Sequence, residues 1–241
     1  MTTKTYLLPA CVALLLLMFS SCNKQGLLDS VVPKKLEDTT IKTKTDSTGH
    51  RSLVVAKDTD GNIYHLDTIG TQIWMVENLK VTHYRNGDPI PYSSDMLSTD
   101  AYCNYNNDKT IGEAYGRLYN YYAILDSRNV CPKGFHLPTN EEWLALETAV
   151  GGNNLAGGAL KEAGTAHWAS PNTGATNRSG FTALPGGNLG SGRFADLGNY
   201  TYFWAAPTSV WSRALLYNNN SDSGISNNAT NQAFSVRCLK D

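Results

Sequence analysis

The residue types best suited to acid–base chemistry crowd into one short stretch, "CPKGFHLPTNEEW", Cys131 to Trp143. Adjacent carboxylates at Glu141 and Glu142 could act as a general acid and base, and the His136 imidazole could be a ligand. The same residues also meet a purely local requirement. Thr139 followed three positions later by Glu142 is a capping box: the hydroxyl accepts from the third helical N–H and the carboxylate reaches back. Both carboxylates also lie at the positive end of the helix that follows. Trp143, Leu146 and Val150 share one face of that helix, and Gly151-Gly152 ends it. Upstream, Cys131–Gly134 reads as a turn and Phe135–Leu137 as a short strand stopped by Pro138, with His136 a packed residue. The stretch reads as a structural hub, not an active site.

No other segment carries a stronger chemical signal. The five histidines are scattered, with no His-Glu-x-x-His and no Cys-x-x-Cys to hold a metal. Ser, His and Asp are all present without a nucleophile elbow. The glycine-rich runs do not follow a strand and open a helix, as a phosphate loop must. "DTDGN" at 58–62 lacks the spaced carboxylates and closing Glu of a calcium loop, so it reads as a turn. No catalytic residue, metal ligand or cofactor is expected.

The elements that position these residues begin near Leu53. "SLVVAKDTDGNIYHLDTIGTQIWMVENL" reads as β-structure, with Asp60-Gly61 predicting a type I′ hairpin turn, Ile69-Gly70-Thr71 a second turn, and Ile73–Val76 a buried strand. In "EAYGRLYNYYAILD", Tyr115, Leu118, Tyr119 and Tyr122 fall at i, i+3, i+4 and i+7, which predicts one amphipathic helix from Glu113 to Asp126 with a tyrosine stripe facing the core. "NLAGGALKEAG" predicts a second short helix after the one that begins at Thr139. The region "HWASPNTGATNRSGFTALPGGNLGSGRFADLG" has almost no periodicity and many breakers, and is expected to be one long loop. "NYTYFWAA", "VWSRALLYN" and "AFSVRCLKD" predict three strands, with "NNSDSG" a loop after the second.

The chain has 241 residues, a formal net charge of −1 and 17% charged residues. No global field would draw it to nucleic acid, and none is expected as a partner. The N-terminus "MTTKTYLLPACVALLLLMFSSC" has an early cation, Lys4, and an apolar run from Tyr6 to Phe19. That run falls short of the roughly 20 residues needed to span a bilayer, so residues 1–21 read as a signal peptide. Ser20 and Ser21 before Cys22 resemble a bacterial lipobox, with Phe19 standing where Leu is usual. Cys22 is accordingly expected to be acylated, to become the mature N-terminus and to anchor the protein in the membrane of the cell envelope, the outer membrane being expected. Residues 22–51 are polar and aperiodic and read as a flexible tether, about 30 Å long on average. The globular domain is expected over 52–241.

Within that domain the segments "GTQIWMVENLKVTHYRNGDPIP", "AYCNYNND", "YGRLYNYYAI", "CPKGFHLPTNEEWLALE", "GGALKEAGTAHWASPNTGATNRSGFTALPGG" and "FSVRCLKD" resemble, in order, the Fibrobacter succinogenes major paralogous domain. That family occurs in exported proteins and lipoproteins, notably of Bacteroidetes and Fibrobacter. Its "HLPTxxEW" element is similar to a run in the formylglycine-generating-enzyme family. The resemblance implies an α+β, C-type-lectin-like fold: two main helices, twisted antiparallel sheets and long loops. Formylglycine generation would need two closely spaced cysteines near the C-terminal end of the domain, and Cys238 stands alone there. The lectin-like arrangement brings the strands near Cys131 and Cys238 together and implies a disulfide between them. Some family members carry a second cysteine shortly after "AYC"; here none follows, which leaves Cys103 as a free thiol.

These readings lead to an envelope-tethered, non-enzymatic binding module. Trp168, Tyr200 and Trp211, with Asn-rich loops, are the candidate ligand surface, with carbohydrate the first expectation and a protein partner the second. A structural envelope or appendage subunit is the alternative from a different class, and an enzyme with an unfamiliar site comes third. The lectin analogy would allow calcium, but no ligand set is legible.

Overall fold

The structure is a computed structural model that describes residues 43–45, 51–53, 55–95, 99–206, 211–216, 219, 222–226 and 231–241, all within the unit Ile41–Asp241. The stretch read as a signal segment, Cys22 and the stretch read as a tether as far as residue 42 lie outside the described residues. At the end of the stretch read as tether, β1 (Thr43–Thr45) pairs antiparallel with β2 (Arg51–Leu53). The β-branched threonines that alternate with Lys44 suit a strand better than a coil.

Strands β3 (Val55–Lys57) and β4 (Ile63–Ile69) form the first hairpin, but its turn is not type I′. Asp58 O accepts from Gly61 N at 3.1 Å, and of the Asp60-Gly61 pair only Gly61 has positive φ, 87°. This geometry is a type I turn closed by a left-handed glycine. The Asp58 side chain selects it by accepting from Asn62 N at 2.9 Å and from the Tyr64 hydroxyl at 2.6 Å. Strand β5 (Gln72–Met75) follows through the predicted tight turn, with Ile69 opposite Gln72 and Trp74 and Met75 fully buried.

After β6 (Tyr102–Cys103), α1 (Lys109–Tyr115) is capped by Asp108, whose carboxylate accepts from Thr110 N at 2.7 Å. The single helix expected over Glu113–Asp126 does not form. Gly116 turns left-handed at φ 85°, where a Cβ would fall 2.5 Å from that of Asn78, so the chain leaves the helix and extends as β7 (Leu118–Asn120). Asn120 then caps a new short helix, α2 (Tyr121–Leu125), by accepting from Ala123 N at 3.0 Å. The apolar spacing that resembles a helical stripe comes from a strand buried on both faces followed by a helical turn.

Strand β8 (Phe135–His136) leads to α3 (Asn140–Ala149), which carries the predicted capping box, and to α4 (Asn153–Leu160). The long loop is shorter than expected. Its last third forms a hairpin of β9 (Gly186–Gly190) and β10 (Arg193–Leu197) around Ser191 and Gly192, both with positive φ. The glycine-rich β9 carries no apolar alternation, which is why the pattern hides the hairpin. Strands β11 (Tyr200–Trp204), β12 (Trp211–Leu216), β13 (Asp222–Ser226), β14 (Gln232–Ser235) and β15 (Leu239–Lys240) complete the described elements. Part of "NNSDSG", read as loop, belongs to β13, where Asp222 pairs with Leu215.

The fold is α+β, with more sheet than helix. The larger sheet runs β13-β12-β11-β9-β14-β7-β6 with β10 on β9, and the smaller runs β3-β4-β5-β15-β8. Helices α3 and α4 contribute Trp143, Leu146, Ala156 and Leu160 to a core shared with Trp74, Phe181 and Phe203. Trp143 lies 4.8 Å from Trp74 and stacks at 5.6 Å on Phe203. A second core under β5, β7 and β14 holds Met75, Tyr119, Phe234 and the disulfide. That bond joins Cys131 to Cys238 because β15 pairs with β8, Leu239 opposite His136. Cys103 is a buried free thiol. Among the described residues no helix is long and apolar enough to cross a membrane.

Candidate functional site

The predicted ligand surface does not hold together as a set. Trp168 is 1% exposed and belongs to the helical core, where its indole N–H donates to Ala183 O at 2.9 Å. It cannot be a surface residue, because the loop that carries it folds inward beneath α4. Trp211 begins β12 opposite Ser226, and its side chain lies outside the described residues. Tyr200 is half-buried at the start of β11.

Around Tyr200 a different set assembles. Tyr200 and Tyr202 are two apart on a strand and therefore share a face, and both are half-buried. Their rings are parallel, 4° between planes and 5.9 Å between centroids. Tyr202 continues the row onto Phe234 at 5.2 Å, and Phe234 meets buried Trp204 at 4.7 Å. The aromatic row thus runs from the core to the surface, with Tyr200 at its outer end.

Register brings two amides to the same face. Thr201 pairs with Gly187 and Gln232 with Gly190, so alternation places Asn188 and Gln232 beside Tyr202 and Phe234. Asn188 and Gln232 are half-buried, and the side-chain oxygens of both accept no hydrogen bond among the described residues. Buried polar atoms are ordinarily satisfied, so these two oxygens are the acceptors of this face that have no partner among the described residues. Asp196 completes the set. Its backbone is left-handed at φ 71°, which Asp tolerates better than most residues, and its Oδ2 accepts from the Tyr202 hydroxyl at 3.0 Å. Burial, reinforced by the Asp196 charge, pushes the Tyr202 phenol above its ordinary pKa and keeps it a donor. The strand reading of "NYTYFW" already implies the Tyr200–Tyr202 pair through i, i+2 spacing. Asn188, Gln232 and Asp196 give no such signal: Asn188 sits in the glycine-rich β9, Asp196 falls in the stretch read as loop, and Gln232 lies just before the predicted strand "AFSVRCLKD".

The hub at 131–143 is engaged internally. Glu142 closes the capping box, its carboxylate accepting from Thr139 N at 2.8 Å, and also pairs with His136 Nε2 at 3.0 Å. His136 Nδ1 contacts Asp241 at 2.8 Å, so this histidine is a half-buried bridge between two carboxylates rather than an apolar packed residue. Arg85, which the sequence did not single out, satisfies carbonyls of the turn: Nε donates to Cys131 O and one terminal nitrogen to Pro132 O, both at 3.0 Å. Among the described residues no cluster of three His, Cys, Asp or Glu side chains could hold a metal ion.

No curated protein and no solved structure matches this chain significantly. Residues 68–240, which hold the disulfide, both helices of the core and the Tyr200–Tyr202 face, match the Fibrobacter succinogenes major domain. The chain belongs to the Fibrobacter succinogenes major domain family.

Proposed function

We propose that this protein is a cell-envelope-tethered, non-enzymatic binding module whose ligand is carbohydrate, received on the face formed by Tyr200, Tyr202, Asn188, Gln232 and Asp196. The observation that carries the reading is a parallel tyrosine pair beside two amides whose oxygens accept nothing from the described residues. A sugar ring is amphipathic in the same sense: its C–H face stacks on an aromatic plane while its hydroxyls seek hydrogen bonds. Tyrosine offers a large rigid contact with little side-chain entropy to lose. Among the described residues the Asp196 carboxylate accepts one hydrogen bond, at Oδ2, and Oδ1 is proposed to accept from a ligand hydroxyl. A binding role is also favoured over catalysis by the commitment of Glu142 to its helix cap and to His136.

The tether and the lipid on Cys22 belong to the same proposal, and a Cys22→Ala protein that stayed membrane-bound and lipid-labelled would remove that part of it. A glycan array probed with the full-length protein, in calcium and in chelator, tests the ligand class. A specific sugar signal supports the reading, and loss of the signal in chelator would add a metal to the site. A blank array would overturn carbohydrate as the ligand and leave a protein partner as the reading to pursue.

A further inference from the structure

A cavity of about 130 Å³ lies between residues 76–80, the end of α1 and residues 182–184. It shares no residue with the tyrosine face. Arg237 forms part of its wall and is itself fully buried. The guanidinium donates to Phe181 O and, at 2.5 Å, to Asn78 Oδ1. It also lies 4.2 Å from the Phe181 ring centroid and 5.3 Å from that of Phe203. Asn78 is held in this pose by donating Nδ2 to Tyr115 O at 2.8 Å. The approach of α1 that permits this contact depends on Gly116 having no side chain, since a Cβ there would lie 2.5 Å from Asn78 Cβ.

What Arg237 does not have, among the described residues, is a counter-ion. Its Nε makes no hydrogen bond, and it forms no ion pair among the described residues. Burial draws its pKa down to about 9, which leaves it protonated at neutral pH. Glu77, whose field acts on it, is engaged by His65 through N at 2.7 Å and Nδ1 at 2.6 Å. A buried charge without a close partner is costly, and the ordinary remedy is a bound or bonded opposite charge. The rest of the wall narrows the class of anion. Val76, Ala114 and Leu184 offer apolar surface that suits a short hydrocarbon tail better than a hydrated oxyanion. Glu77 and Lys80, both on the wall, carry opposite charges and offset one another, so the charge left to match is the single one on Arg237. Thr182, also on the wall, is a β-branched residue held at φ 53°, the kind of backbone strain that gathers at ligand clamps.

We propose that this cavity binds a small monocarboxylate, its charge paired with Arg237 and its tail covered by Val76, Ala114 and Leu184. The test is thermal unfolding of the full-length protein in sodium propionate, against sodium chloride and sodium sulfate at matched ionic strength. Propionate is expected to raise Tm saturably, by roughly 5–10 °C at a hundredfold excess over Kd, with a midpoint at least tenfold below that of either other salt. Ala114 is exposed at the rim, so Ala114→Trp plugs the mouth without touching Arg237. That variant is expected to keep the Tm of the unliganded protein and lose the propionate response. An equal response to all three salts, no saturable response, or an undiminished response in Ala114→Trp would overturn the proposal, and the last of these would mean that propionate acts elsewhere on the protein.

Discussion

Cys131 and Cys238 stand with Cα atoms 5.9 Å apart across a separation of 107 positions, and both are buried. The bond ties the turn before β8 to the residue that leads into β15, the strand between β5 and β8 in the smaller sheet, and nearly half of the chain lies between its ends. In the chain-entropy account a loop of that length restricts the unfolded state by about 4–5 kcal/mol. The Cys131→Ala/Cys238→Ala protein is expected to lose about 2–5 kcal/mol of unfolding free energy in urea titrations. An unchanged midpoint and slope would show that the cross-link adds nothing.

Arg213 and Glu147 form an ion pair with side chains 5% and 7% exposed, and Arg213 also donates to Asn140 Oδ1 at 2.8 Å. The pair fastens β12 to α3. Removing Glu147 takes the buried carboxylate away from Arg213, so Glu147→Leu is expected to cost about 3–5 kcal/mol, while Glu147→Leu with Arg213→Leu recovers most of the loss. Calorimetry of the three proteins decides it, and a double variant no more stable than Glu147→Leu would contradict that account.

His136 makes stability depend on pH. Burial lowers its pKa, but hydrogen bonds and charge from Asp241 and Glu142 outweigh that, and the net shift is upward from 6.5. A raised folded pKa gives stabilisation that is complete below about 6.5 and is lost as pH climbs through the folded value. Unfolding free energy is therefore expected to decline above pH 6.5 in the native protein, and to decline less in His136→Gln. Identical pH profiles for the two proteins would show that the bridge is energetically silent.

Cys103 is fully buried, and burial pushes its thiol up to about 12. Thiolate is the reactive form, so Cys103 in the native protein is expected to resist a disulfide-exchange reagent at pH 8 and to be labelled only on unfolding, as peptide mapping of the reacted protein would show. Rapid labelling under native conditions would mean that the β6 region opens readily.

Sequence reasoning recovers what local chemistry dictates. Thr139 and Glu142 predict a cap that needs no tertiary partner, and the Cys131–Cys238 bond follows from the family resemblance. It fails where long-range contacts decide. Tyr115 to Tyr122 has helical spacing, yet Gly116 must approach Asn78 and Tyr119 must pair with Phe234, so the segment breaks into helix, strand and helix. Gly186–Gly190 lacks alternation, and only its pairing with Arg193–Leu197 makes it a strand.

The candidate site divides along the same line. Tyr200 and Tyr202 are legible as one face of one strand, whereas Asn188 and Gln232 arrive from other strands whose register no local pattern announces. Trp168 shows the converse error. A tryptophan in a polar, breaker-rich loop invites a surface role, but this loop folds into the core and satisfies the indole at Ala183 O.

The most direct test of the binding-module account is a glycan-array profile of the native protein measured beside that of Tyr200→Ala. Tyr200 is the outer end of the aromatic row and is half-buried, so its truncation should leave the far-ultraviolet circular dichroism unchanged. The account predicts a defined class of glycans bound by the native protein and weakened at least tenfold in the variant, about 1.4 kcal/mol. A native protein that binds no glycan, or a Tyr200→Ala protein that binds the same glycans equally well, would contradict it.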